Sequence, residues 1–352
     1  MGARDHIAAE APEDPAAGLP SDLSGDASDA ADAGEAYDTA DAADAADEPA
    51  APDAPAETAG APMWLDEIGP CGTASGFLQA DPRHPMLFVR RRRPVLLVTF
   101  DNLSNVGDRA PGRLPWAYKF ARDNRICHLG VYAHLPDWYR DADLIARLDK
   151  LAGEGFFEGY ERCVFAGSSM GAFAALSFGR LAPGATVLAF NPQSTLDEAL
   201  VPWETRYRAG RRQDWSLPMS DAAEAIAALG RAYVFYDPYF EPDRRHIARL
   251  TEAPGAGERL VTMKCWFSNH KSAVFLRKIE ALKPVMHAAL FGDLTEPEFY
   301  RLYRGRRRLP WYRGSLVHHF QKDGRSAMAD RATRAFRGLI RREGRIGAGR
   351  GA

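Results

Sequence analysis

The segment Gly167-Ser168-Ser169-Met170-Gly171 follows an apolar run at 163–166 and precedes a stretch of mostly small residues with helical spacing at 172–178. A strand that turns into a helix within one residue presents the side chain at the turn, and the flanking positions must be glycine because any side chain there would clash with neighbouring backbone. The pattern fits Ser169, since with the preceding serine at the apex a bulky methionine would stand where a small residue is needed. The segment therefore predicts a nucleophile elbow with the Ser169 hydroxyl at its apex.

The first 62 residues differ in composition from the rest of the chain. They consist mainly of Ala, Asp, Pro and Gly, with sixteen acidic residues and one basic residue, Arg4. A segment with almost no aromatic or branched side chains cannot bury enough apolar surface to offset the entropy of ordering. We therefore expect a disordered acidic tail at 1–62. The remainder of the 352-residue chain, in which 46% of all residues are hydrophobic, is long enough to form a full core.

The end of the chain is strongly basic, although the formal net charge of the whole chain is only −2. Residues 301–352 contain fifteen Lys and Arg against three acidic residues. A helix with its charges in solvent is the simplest interpretation, and an anionic surface, an anionic substrate or the acidic tail of the same chain are the alternatives. These arginines come without a recognisable nucleic-acid-binding module, so a nucleic-acid partner is not favoured.

The cysteines and the absence of known signals bear on location and cofactors. Cys71, Cys127, Cys163 and Cys265 are scattered without a C-x-x-C pair, which indicates thiols in a reducing compartment. No run of eighteen apolar residues and no export signal occurs, so we expect a cytoplasmic protein without a membrane span. The sequence also lacks phosphate-loop, dinucleotide and zinc motifs, and we expect neither a cofactor nor a metal. It leaves the oligomeric state open.

Short apolar runs alternate with amphipathic ones through the body of the chain. Helical patterns occur at 143–152 and 243–250, among others. The strand-like runs lie at 94–100, 127–132, 162–167, 185–190, 231–237 and 259–265, with an edge strand expected at 86–92. This alternation predicts an α/β protein with a mostly parallel sheet flanked by helices.

Together with the elbow, this order of strands and helices resembles the α/β-hydrolase superfamily over about residues 85–290. The resemblance implies an α/β-hydrolase fold and a triad in the chain order nucleophile, acid, histidine, with the acid and the histidine on loops after late strands. It also implies a catalytic domain at 63–295 with a cap-like segment at about 191–230. The basic residues at 296–352 would then form a helical C-terminal extension.

His270 is the histidine that directly follows a strand-like run and precedes a helix, so we predict that it is the general base for Ser169. The acid is less clearly marked. Asp237 ends a strand-like run, where the carboxyl edge of the sheet should be. Asp243 opens the next helix, where aspartate is also favoured as an N-cap. We rank Asp237 first, Asp243 as the alternative acid and Glu241 third.

An oxyanion hole needs two backbone N–H groups directed at the tetrahedral intermediate. Met170 supplies one by its position after the serine. The second N–H group is expected from the loop at 101–105. We choose Asn102 by its position, and Leu103 is the alternative.

Aromatic and basic residues lie in segments that are expected to cover the cleft. Such side chains suit a sugar face or an anionic group, although packing on the core is a competing interpretation. The predicted substrate-binding residues are Trp138, Trp203, Tyr207 and Arg208.

The sequence thus predicts a serine-dependent hydrolase of esterase type, or an acyltransferase, that forms an acyl-enzyme on Ser169. The expected partner is a small-molecule ester or an acylated saccharide, and no motif says whether water or a sugar hydroxyl accepts the acyl group. The alternative is a non-catalytic α/β-hydrolase-like interaction protein that binds through its charged tails. A triad geometry retained in the structure would argue against that alternative.

Overall fold

The structure is a computed structural model of the chain and describes residues 63–69, 75–110 and 112–348. The predicted acidic tail at 1–62 lies outside the described residues, as does Cys71.

An eight-stranded sheet forms the centre of the molecule, in the spatial order β1-β2-β4-β3-β5-β6-β7-β8. The strands are β1 (Gly76–Gln79), β2 (Met86–Val89), β3 (Arg93–Phe100), β4 (Ile126–Val131), β5 (Arg162–Ser168), β6 (Thr186–Phe190), β7 (Arg231–Tyr236) and β8 (Leu260–Lys264). Strand β2 runs antiparallel to both of its neighbours, and all other neighbouring strands are parallel. The mostly parallel sheet predicted from the sequence is confirmed.

Helices cover both faces of this sheet. The helices of the described residues are α1 (Met63–Ile68), α2 (Tyr118–Asp123), α3 (Ala142–Gly153), α4 (Met170–Gly179), α5 (Arg208–Arg211), α6 (Ala222–Ala225), α7 (Glu241–Thr251), α8 (Ala256–Arg259), α9 (Ser272–Lys278), α10 (Leu282–Phe291), α11 (Glu296–Tyr303), α12 (Pro310–Lys322) and α13 (Ser326–Ala348). The predicted helical patterns at 143–152 and 243–250 correspond to α3 and α7.

Successive residues of the central strands point to opposite faces and build two buried clusters. Leu96 and Val98 of β3 pack in one cluster with side chains of α3, α4 and α7. Val95 and Leu97 pack in the other with side chains of α2 and of α9 to α12. Because both faces are covered, the central strands are nearly continuous apolar runs instead of alternating with polar residues.

The predicted edge strand at 86–92 is corrected in two respects. Its ordered part is the shorter β2, and β1 pairs with its outer side, so that β1 and not β2 lies at the edge. Strand β1 is only four residues long, which is too short for a periodic pattern to reveal it in the sequence.

The basic C-terminal region begins with helices that pack on the sheet domain. Phe299 and Tyr303 of α11 and Tyr312 of α12 are buried in the same cluster as α9 and α10. Helix α13 carries exposed arginines such as Arg334. The start of this region therefore contributes to the core, and the boundary at residue 296 stays a prediction.

The turn from β5 into α4 depends on close backbone contacts. Ser169 has φ 52° and ψ −120°, a conformation that is rare for a residue with a side chain. A Cβ atom on Gly167 would lie 2.2 Å from the carbonyl oxygen of Gly171, and one on Gly171 would lie 2.5 Å from that of Asp101. The two glycines thus let the start of α4 lie directly against the end of β3.

Gly171→Ala should lower the free energy of unfolding by about 1–3 kcal/mol, because the added methyl group fits only if the β3 backbone moves. Urea denaturation measures this change. Gly153→Ala is the matched control, since a Cβ atom at that helical position meets no heavy atom within 4 Å. Equal effects of the two substitutions would contradict the account of the turn.

Candidate active site

The residues singled out in the sequence gather at the carboxyl edge of the parallel strands. Ser169 follows β5, Asp237 follows β7 and His270 lies on the loop after β8. Loops at this edge meet in space although they are far apart in the chain, which is why open α/β sheets place their sites here.

Ser169, His270 and Asp243 form one continuous chain of hydrogen bonds. The Oγ atom of Ser169 lies 2.8 Å from Nε2 of His270, and Nδ1 of His270 lies 2.9 and 2.8 Å from Oδ1 and Oδ2 of Asp243. The carboxylate accepts a hydrogen bond from Nδ1–H, which leaves Nε2 as the acceptor that faces the serine hydroxyl. The side chains are thus arranged for proton transfer from the serine to the histidine.

Asp243 lies in the first turn of α7, and its side chain is fully buried. Asn191 donates to Oδ2 at 2.9 Å, and the Arg206 guanidinium lies 3.3 Å from Oδ1. Burial by itself would raise the pKa of Asp243, but the charge and hydrogen bonds of His270, with those of Arg206 and Asn191, outweigh it and lower the pKa. Asp243 is therefore ionised at neutral pH.

Asp237, which the sequence ranked first as the acid, occupies a different position from Asp243. Its carboxylate accepts the backbone amides of Tyr239 at 3.0 Å and Asn269 at 2.8 Å, and no hydrogen bond joins it to His270 within the described ranges. Asp237 thus holds the backbone of the loop that carries His270. The carboxylate that reaches the histidine is Asp243, because α7 turns the chain back over the carboxyl edge.

A buried ion network supports Asp243 on the side away from His270. Arg206 donates to both carboxylate oxygens of Glu204 and also contacts Asp243. Nε2 of His246 lies 3.1 Å from Glu204 Oε2. Burial would raise the pKa of Glu204, but the hydrogen bonds from His246 and Arg206 lower the pKa to about 2. Arg206 is therefore fixed between two carboxylates and holds Asp243 in place.

The two predicted oxyanion donors lie on adjoining segments. The amide of Met170 belongs to the first turn of α4, where N–H groups have no partner inside the helix. Asn102 begins a short 3₁₀ turn, and its side chain accepts the amide of Ser104 at 3.0 Å. The backbone amide of Asn102 makes no hydrogen bond within the described part of the chain. The contact of Gly171 with Asp101 brings the two segments together.

Of the four predicted substrate-binding residues, Tyr207 lies at the reactive pair and Trp138 packs against Tyr207. The Tyr207 hydroxyl is 3.1 Å from Nε2 of His270, and the ring of Trp138 is 4.9 Å from the ring of Tyr207. Trp203 instead packs on His246, with ring centroids 4.6 Å apart. Arg208 is exposed at the start of α5.

Gln193 is a site residue that sequence reasoning missed. Its Nε2 atom lies 3.4 Å from both the Ser169 hydroxyl and the Tyr207 hydroxyl, and its Oε1 atom accepts the indole N–H of Trp138 at 3.1 Å. The one available signal was its position three residues after the end of β6, at the same edge of the sheet as the serine. Glutamine at such a position belongs to no catalytic motif, so this signal was too weak to single it out.

Other kinds of site were sought in the described ranges. They contain no group of three or more His, Cys, Asp or Glu side chains placed to hold a metal ion. Over the same ranges, none of the helices has both the length and the apolar character needed to cross a membrane. Cys127, Cys163 and Cys265 are buried free thiols. The cytoplasmic location stays a prediction.

Comparison with known proteins gives similarity only at the level of fold. No family model and no curated protein matches the chain. Similar solved structures include a capsule O-acetyltransferase of Neisseria meningitidis serogroup A, with 12% identity, a TM-score of 0.42 and coverage of 59% of this chain and 93% of that one. An esterase from Mycobacterium marinum has 18% identity and a TM-score of 0.43, with coverage of 63% and 77%. A 2,6-dihydroxy-pseudo-oxynicotine hydrolase has 10% identity and a TM-score of 0.44, with coverage of 64% and 71%.

These similarities assign neither an activity nor a residue to this chain. The fold is identified by the sheet order, in which β2 alone runs antiparallel to the other seven strands, and by the β5–α4 turn that presents Ser169 at the carboxyl edge. On these features the chain has an α/β-hydrolase fold.

Asp237→Asn should change how the free energy of unfolding depends on pH. Burial raises the pKa of Asp237 from its usual 3.8 to about 6, although three backbone amides oppose the shift. The folded protein therefore holds this proton more tightly than the unfolded chain, and the stability it contributes is present below about pH 4 and is lost as the pH rises through about 6. Relative to the variant, the wild type should lose about 3 kcal/mol in total from well below pH 4 to well above pH 6.

Urea denaturation of both proteins across this pH range provides the measurement. Asp149→Asn, at an exposed position of α3, controls for the general loss of an aspartate. A difference between wild type and Asp237→Asn that does not vary with pH would contradict the account.

Proposed function

We propose that the protein is a serine-dependent hydrolase of esterase type, or an acyltransferase, that works through an acyl-enzyme on Ser169. The observation that carries this proposal is the hydrogen-bond chain from the Ser169 hydroxyl through His270 to the buried carboxylate of Asp243. This chain has the parts of an activated nucleophile, namely a hydroxyl, a base within reach of it and a third group that orients the base.

In the first half-reaction, Ser169 Oγ attacks the acyl carbon while Nε2 of His270 takes the hydroxyl proton. Asp243 holds the imidazole and stabilises the imidazolium that forms. The amides of Met170 and Asn102 are the proposed donors to the oxygen of the tetrahedral intermediate, and each such donor is worth about 2.7–4 kcal/mol of transition-state stabilisation. His270 then protonates the leaving group, and water or an alcohol releases the acyl group in the second half-reaction.

The backbone at Ser169 argues against the non-catalytic alternative. A residue with a side chain in such a conformation costs about 1–3 kcal/mol and persists only where the surrounding structure imposes it. Here the contacts of Gly167 and Gly171 impose it. A protein that binds only through charged tails has no need of this strain or of a buried carboxylate aligned with His270.

The surroundings of the serine favour a small ester as the substrate. Ser169 is only 8% exposed, and Gln193 and Tyr207 contact its hydroxyl or its histidine. Trp138 is buried and is not available to stack on a sugar ring. An acylated saccharide would therefore be held through its acyl group and its hydroxyls. We also propose that the segment at 191–230 acts as a cap, because it supplies Tyr207 and Arg206 to this site.

A fluorophosphonate probe should label the wild-type protein once, on Ser169, as read by intact mass and peptide mapping. Ser169→Ala and His270→Ala should remain unlabelled, because the first lacks the nucleophile and the second lacks its base. Ser168→Ala is the matched control for the loss of a serine and should be labelled like the wild type. Labelling of Ser169→Ala, or a folded wild type that stays unlabelled, would count against the proposal.

Asp243→Asn should lower kcat for p-nitrophenyl acetate by about 10²–10⁴-fold, because an amide no longer holds the histidine in the required tautomer. Asp237→Asn should lower it by less than about tenfold, since that carboxylate supports a loop and does not contact the imidazole. Initial rates give the comparison, after circular dichroism has shown that both variants fold. The assignment of the acid is wrong if only Asp237→Asn abolishes turnover.

A further inference from the structure

The Tyr207 hydroxyl faces the reactive pair from the cap-like segment. Its oxygen lies 3.1 Å from Nε2 of His270, the nitrogen that also contacts Ser169 Oγ at 2.8 Å. Gln193 Nε2 lies 3.4 Å from the hydroxyl oxygens of both Tyr207 and Ser169. One substrate oxygen can therefore contact both Nε2 and the tyrosine hydroxyl at ordinary hydrogen-bond distances.

Tyr207 is held as part of the packed structure. Its ring lies against Trp138, and the Arg206 guanidinium lies 4.9 Å from the ring centroid on the cap side. A Cβ atom on Gly210 would lie 2.3 Å from the Trp138 ring, so α5 rests directly on that indole. Tyr207 is only 7% exposed. A side chain fixed in this way presents its hydroxyl at a constant position and does not act as a mobile lid.

The hydroxyl also keeps its proton. Burial raises the pKa of Tyr207 above its usual value of 10, and the positive charge of Arg206 opposes this shift without cancelling it. Tyr207 is therefore a neutral donor at neutral pH.

We propose that Tyr207 donates a hydrogen bond to the leaving-group oxygen of the ester, and to the acceptor hydroxyl when an alcohol takes up the acyl group. This inference rests on the proposed function of Ser169 and names its substrate class, which is oxygen esters of weakly acidic alcohols, including sugar hydroxyls. Gln193 contacts the hydroxyls of both Tyr207 and Ser169 and so keeps the two groups close to each other.

The role follows from the way charge moves in the acylation step. The bond between Ser169 Oγ and the acyl carbon forms, the bond from that carbon to the leaving oxygen breaks, and the proton that His270 took from the serine passes to the leaving oxygen. Tyr207 keeps its own proton and stabilises the negative charge on that oxygen until the transfer is complete. An alkoxide needs this help, whereas a nitrophenolate spreads its charge into the aromatic ring.

The test compares Tyr207→Phe with the wild type on p-nitrobenzyl acetate and p-nitrophenyl acetate, two esters of similar size whose leaving groups differ in acidity. We expect kcat/KM to fall by about 10- to 100-fold for the benzyl ester, the effect of one lost hydrogen bond to a charged oxygen, and by less than about threefold for the phenyl ester. Tyr118→Phe is the control, because it removes a buried hydroxyl that contacts Glu67 at 2.6 Å in a separate apolar cluster. It should leave the ratio of the two rates unchanged.

Each other outcome overturns the inference in a recognisable way. An equal fall for both esters would make Tyr207 a structural support, and an equal rise would make it a barrier to substrate. In both cases fluorophosphonate labelling of Ser169 in Tyr207→Phe would show that the proposed function still stands. A wild type that is neither labelled nor active on either ester would remove the proposed function, and the role of Tyr207 with it.

Discussion

The buried carboxylate of Asp243 is the point on which the site depends. A charge removed from water is costly unless it is paired and hydrogen-bonded, and several elements converge to satisfy this one. His270 approaches from the loop after β8, Asn191 from the end of β6 and Arg206 from the cap-like segment. Asn191 also accepts the amide of Ser272 at 2.7 Å, which ties the start of α9 to the same point. Removing any one partner would leave a buried charge less satisfied, so the carboxylate fixes how these segments meet.

The second constraint is the close contact between α4 and β3. It forces the unusual backbone of Ser169 and places the first amides of α4 beside the loop that carries Asn102. The serine hydroxyl, the histidine and the two proposed oxyanion donors are thus positioned by packed backbone and a buried ion network. A site built on rigid elements holds its geometry before substrate arrives, which is what electrostatic stabilisation of a transition state requires.

The features of this arrangement that depend on neighbouring residues in the chain could be predicted from the sequence. Apolar runs of strand length predicted the parallel sheet, and the glycines around Ser169 predicted a turn whose cause is visible as backbone contacts. Asp243, which contacts His270, was ranked second because the rule that favours the end of a strand selects Asp237. Asp243 was discounted as an N-cap, but Phe240 precedes the helix and Asp243 lies buried in its first turn.

Contacts between loops that are far apart in the chain produce no periodic pattern in the sequence, so they could not be predicted from it. Gln193 and Tyr207 meet the serine through irregular segments, so their positions follow from tertiary packing and not from local propensity. Strand β1 was missed for a similar reason, since four residues are too few to show a pattern. The aromatic character of Trp203 suggested a substrate contact, and in the structure its ring packs on His246.

The central claim is that a covalent acyl-enzyme forms on Ser169. The most direct test is rapid-quench analysis of the wild-type protein mixed with p-nitrophenyl acetate, with p-nitrophenol release and the acetylated peptide followed in parallel. The account predicts a burst of p-nitrophenol and one acetyl group on the peptide that contains Ser169, which forms at the rate of the burst and is lost at the rate of turnover. Turnover without any acetylated intermediate, or acetyl groups on other residues that accumulate at the turnover rate, would contradict it.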